Sequence, residues 1–134
     1  MSAPAPGQPP HGLRERVPIL KLRGFLVAAI EDELTDTGWA RFRDDLVRRA
    51  AEHRSRGVVI DISGMEVMDS YATRVLDGVA KVLRLRGVET VVVGVQPGVA
   101  FAMAQLGLRL LSAGTALDLD DGMLELERRL NHGR

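Results

Sequence analysis

Two runs constrain this chain more than anything else in it: GVVIDI at 57–62 and VETVVVGV at 88–95. Each is a short, nearly continuous stretch of β-branched residues, the composition of a strand buried on both faces. Between them, from Ser70, the apolar positions Ala72, Val75, Leu76, Val79, Val82 and Leu83 follow helical spacing until Gly87, which can cap the end. Buried strands separated by a helix pair in parallel through a right-handed crossover, and such a sheet needs cover on both faces.

The remaining segments supply that cover. VPILKL and FLVAAI read as a hairpin turning at Arg23-Gly24, with Pro18 marking the first run as an edge strand because it has no N–H for a ladder. EDELTDTG then gathers acids and cap-type residues ahead of WARFRDDLVRRAAEHR, where Trp39, Phe42, Leu46, Val47 and Ala50 recur at helical steps and Arg48, Arg49 and Arg54 fall late, as the helix dipole favours. QPGVAFAMAQLG is a short apolar helix bounded by Pro97 and Gly107, and LDLDDGMLELERRL ends the pattern with Leu119, Met123, Leu126 and Leu130 on one stripe. The predicted order is hairpin, helix, strand, helix, strand, helix, helix. This is an α/β domain over residues 17–131, its mixed sheet combining an N-terminal antiparallel hairpin with parallel strands, packed by about four helices. Residues 1–16 are expected to be a disordered Pro-rich tail, since the first twelve hold four prolines and two glycines.

Length and composition agree with one domain: 134 residues, 46% of them hydrophobic, enough to bury roughly two-thirds of the unfolded surface. Eighteen basic residues balance eighteen acidic ones, so no long-range field recruits nucleic acid or an anionic membrane, and neither is expected as a partner. The absence of cysteine removes disulfides, thiolate chemistry and Cys-based metal sites, and suits a cytoplasmic protein. No apolar run approaches the ~18 residues of a membrane span.

Catalytic patterns are missing. The chain has no GxxxxGK, GxGxxG, HExxH or GxSxG. GVQPG at 94–98 lacks the lysine and hydroxyl of a nucleotide loop and reads as a strand-to-helix turn. Glu31, Asp32 and Glu33 are adjacent in an extended segment, so they point to alternating faces and read as a solvated, helix-capping cluster rather than a metal site. Trp39 and Phe42, at helical spacing, read as core. Ser70 is the residue that resists dismissal. Its local reading is an N-cap, a hydroxyl accepting a bond from a backbone N–H, with Ser63 and Asp69 as ordinary loop residues. The same geometry also suits a switch: a phosphate on a helix-starting serine meets free N–H groups and the positive end of the dipole without unfolding its support. A third role, as a hydrolase nucleophile, needs a nearby base, and His11, His53 and His132 fall in no motif that places one.

VPILKL, VVIDISGMEVMDSYATRVL, GVETVVVGVQPGVAFAMAQLG and TALDLDDGMLELERRL, in this order, resemble the STAS domain of anti-sigma factor antagonists, and within that family the RsbS type of stressosome scaffold. The resemblance spans residues 17–130. It implies a non-enzymatic protein without cofactors that sequesters a switch serine kinase of the GHKL (RsbT-like) type and releases it once a serine after the loop aspartate is phosphorylated; the matching pair is Asp69 and Ser70. Arg74, Asp77 and Lys81, on the polar side of the same helix, complete the expected docking surface. The other implied partners are a sensory, RsbR-like STAS paralogue and further copies of the chain. DSYAT stands here where general antagonists show a DSSGL-like sequence, which favours the scaffold over the alternative, a free antagonist that binds an anti-sigma factor directly. Gln96, Pro97 and Gly98 occupy the turn where the sensory paralogues carry a second phosphorylatable threonine, so one principal site is expected.

Overall fold

A computed structural model describes residues 16–132. The predicted tail, apart from Arg16, lies outside the described residues. The elements are β1 (Ile19–Leu22), β2 (Phe25–Ala29), α1 (Asp36–Glu52), β3 (Gly57–Asp61), α2 (Ser70–Leu85), β4 (Glu89–Val93), α3 (Pro97–Leu106), β5 (Gly114–Ala116) and α4 (Leu119–His132). The five strands lie side by side in chain order; β1 and β2 are antiparallel, and β2 to β5 are parallel.

The hairpin turns on two residues of positive φ, Arg23 at 54° and Gly24 at 85°. That is the pair a two-residue turn needs to follow the strand twist. Alternation then sorts the strands' side chains between two cores. Leu26, Ala28, Val58, Ile60 and Val92 face a large core with Trp39, Phe42 and Leu46 of α1 and Leu76, Val79 and Leu83 of α2. Val27, Val59, Val91 and Val93 face the opposite side, where Met123 and Leu126 of α4 cover them. Trp39 and Phe42 are core residues, in an edge-to-face contact with ring centroids 6.1 Å apart.

Three expectations change. The strand β5 is absent from the sequence pattern, because Gly-Thr-Ala has no apolar run; pairing with β4 creates it, through Val91↔Gly114 and its neighbours. α1 starts at Asp36, three residues ahead of Trp39, because Thr35 caps it by accepting a bond from the Gly38 N–H at 3.1 Å. The acids Glu31, Asp32 and Glu33 are exposed, as expected, but they do not cap this helix.

Candidate functional site

The site grows from the loop between β3 and α2. It leaves the sheet at Asp61, whose Oδ1 accepts from the Ser63 N–H at 2.9 Å. Gly64 then passes so close to Glu31 that a Cβ would sit 2.6 Å from the Glu31 carbonyl oxygen. Met65 and Met68 turn inward and are buried, while Glu66 and Val67 between them face out. Two buried thioethers and one forced glycine thus hold the loop down along its length.

The helix that follows is capped by Asp69, which overturns the N-cap reading of Ser70. The Asp69 Oδ1 accepts from the Ala72 N–H at 2.8 Å, and its backbone carbonyl accepts from the Thr73 hydroxyl at 2.9 Å. The reason is register: with Met68, Ala72 and Thr73 buried, the extended cap position falls on residue 69 and Ser70 becomes the first helical residue. The exposed Ser70 hydroxyl is left with no hydrogen-bond partner among the described residues.

The other predicted site residues divide. Arg74 and Lys81 are exposed on α2. Asp77 is engaged within the chain: its Oδ1 accepts from the Ser112 N–H at 2.8 Å and its Oδ2 lies 3.4 Å from the Lys81 Nζ, leaving the side chain 13% exposed. Sequence reasoning missed Val67 and Tyr71, which flank Ser70 with exposures of 58% and 36%. Their signal was an apolar residue out of helical phase beside a cap. Thr73, also in the stretch, is buried and hydrogen-bonded. Among the described residues no group of three His, Asp or Glu side chains is placed to hold a metal ion, and no helix is long and apolar enough to cross a membrane.

A family model for the STAS domain matches residues 16–121, nearly the whole described chain. This chain belongs to the STAS domain family. Among solved STAS structures, a serine-to-glutamate variant of Moorella thermoacetica RsbS superposes with a TM-score of 0.74 at 37% identity, covering 87% of this chain and 98% of that one. A chain of the stressosome, a signal integration and transduction hub, gives 0.69 at 35% identity, covering 84% and 98%. The RsbT co-antagonist protein RsbRA of Bacillus subtilis (strain 168) is 29% identical over 83 residues, 62% of this chain and 30% of that protein. The chain therefore spans under a third of that relative's length.

Proposed function

We propose that this STAS domain is a stressosome scaffold of the RsbS type: it joins sensory, RsbR-like STAS paralogues and further copies of itself, holds a GHKL-type serine kinase, and releases that kinase when Ser70 is phosphorylated. The observation that carries the reading is the state of Ser70. Its hydroxyl is exposed and unpaired at the first turn of α2, while the cap bond is made by its neighbour. A phosphate there adds nearly two negative charges without taking away a bond that the fold uses. With Glu66 and Asp69 beside it, the surface around Val67 and Tyr71 turns from mixed to strongly acidic, and a partner docked on it loses complementarity. The similarity to RsbS and to a stressosome chain supports the assembly; the similarity to RsbRA supports a sensory paralogue as neighbour. The scaffold needs no catalytic group of its own, since ATP and Mg²⁺ belong to the kinase, and its place is the cytoplasm.

The test incubates the chain with the kinase and ATP and maps the phosphate on the tryptic peptide 57–74 by fragment ions, because that peptide also holds Ser63, Tyr71 and Thr73. Phosphate on Ser70 is expected. Phosphate confined to Ser63 or Thr73 contradicts the assignment. Ser70→Ala should keep the kinase bound in the presence of ATP, and Ser70→Glu should weaken binding in its absence. Light scattering should show assembly with the paralogue, and a strict monomer under all conditions contradicts the scaffold.

A further inference from the structure

Beside Ser70 the surface opens into a groove of about 470 Å³ between α2 and the segment 107–113, lined by Thr73, Arg74, Asp77, Lys81, Arg109 and Leu111 among others. The far wall is fixed by Ser112, which is buried: its N–H donates to the Asp77 Oδ1 and its carbonyl accepts from the Arg84 Nη2 at 2.9 Å. Those two bonds hold Arg109 across from Arg74 although 35 residues separate them in sequence. Neither guanidinium has a hydrogen bond or ion pair among the described residues. The one carboxylate in the groove, Asp77, is already engaged by Ser112 and Lys81. What remains is a cationic channel with an apolar lip at Leu111, which is 70% exposed.

We propose that this groove receives a carboxylate-rich segment of the serine kinase, with Arg109 as the far anchor and Arg74 as the cation that a phosphate on Ser70 withdraws from it. Charge complementarity selects the occupant: two free guanidinium forks pair with carboxylates in planar, bidentate fashion, and Leu111 takes an adjacent apolar side chain. The withdrawal follows from helix geometry. Ser70 and Arg74 are four residues apart on α2 and therefore neighbours on its surface, so a phosphate on the first competes within the chain for the second. The partner's identity rests on the partner-switching reading above; the groove rests on its own geometry.

The experiment titrates the isotope-labelled full chain with a synthetic peptide of six glutamates and one leucine, following the backbone amide signals of Gly78, Arg109 and Ser112 by NMR. Saturating shifts confined to the groove are expected. Arg109→Glu should weaken binding about tenfold or more, while Arg43→Glu, an exposed change on α1, should leave it unchanged. Ser70→Glu should weaken the peptide when Arg74 is present and have no effect in an Arg74→Gln background. Shifts that fail to saturate, equal weakening by Arg43→Glu, or inorganic phosphate binding at the same amides with the same affinity overturn the proposal. Phosphorylation of Ser70 by the kinase together with a failed titration removes the groove and leaves the switch. A working titration with Ser70 never phosphorylated overturns the switch and with it the kinase as occupant.

Discussion

The loop 62–69 and the segment 107–113 flank the same helix and are held in different ways. The first is fastened by apolar packing, through Met65 and Met68, and by the approach of Gly64 to the Glu31 backbone. The second adds polar bonds to one buried serine; Leu108 and Leu110 pack part-buried against the core, while Leu111 faces out, as Phe101 and Leu106 of α3 do. In the proposed switch the difference separates two tasks. A residue that is to carry a changing charge sits on support that charge does not touch, because methionines and a glycine contact do not respond to phosphate. The wall proposed to grip a partner is set in addition by the polar bonds of Ser112, whose loss would loosen it.

The largest effect should come from breaking the apolar fastening. Met65→Ala leaves a cavity under the loop and should cost about 2–5 kcal/mol by urea unfolding, whereas Leu111→Ala, at the 70% exposed leucine of the second segment, should stay within about 0.5 kcal/mol. Equal costs would mean that the two regions are not held differently. Next, Asp77→Ala leaves the Ser112 N–H buried without its partner and should cost about 1–3 kcal/mol, with hydrogen exchange accelerating in 107–113 and unchanged at Met65. Acceleration at both places would show that they open as one unit. A smaller effect sharpens the cap assignment. Asp69→Ala should lose ~1 kcal/mol, while Ser70→Ala should change stability by no more than about 0.5 kcal/mol; the reverse ranking would return the cap to Ser70.

The smallest effect lies outside both regions and serves as their reference. Hydrogen bonds from Arg128 and then Arg129 hold the Glu125 carboxyl at about 2, below its ordinary 4.5. Because the folded value is depressed, this contribution is complete above pH 4.5 and fades as the pH falls towards 2. Solvent exposure keeps it small. Glu125→Gln should lower the urea midpoint slightly at pH 6 and not at pH 2, and a difference that grows on acidification would contradict the sign.

The sequence carried the fold well where elements were long and periodic. The hairpin, the four helices and the two buried strands were legible because their apolar spacing and their glycines are local signals. β5 was not, since three residues without an apolar run acquire their conformation only from β4. Ser70 and Asp69 are both cap-type residues one position apart, and periodicity resolves a helix start no better than that; burial of Met68 and Thr73 decides between them. Arg109 was invisible as a site residue for a different reason. The bonds that Ser112 makes with Asp77 and Arg84, formed only in the folded chain, bring it opposite Arg74.

The second core has a consequence for synthesis. Val59 and Val91 face the side of the sheet that α4 covers among the described residues, through Met123 and Leu126, and α4 follows every strand of that sheet in the chain, so it leaves the ribosome after them. A nascent chain that has already paired β2 with β3 and β4 therefore shows a bare valine surface until α4 emerges. Such a surface is a route to aggregation for a partly made protein. Gly122, where a Cβ would lie 2.6 Å from a Val93 methyl, lets the closing helix settle directly onto that surface. A bulkier residue there would prolong the exposed interval on the ribosome, so Gly122→Val should reduce soluble yield during translation more than its cost to the finished fold would suggest.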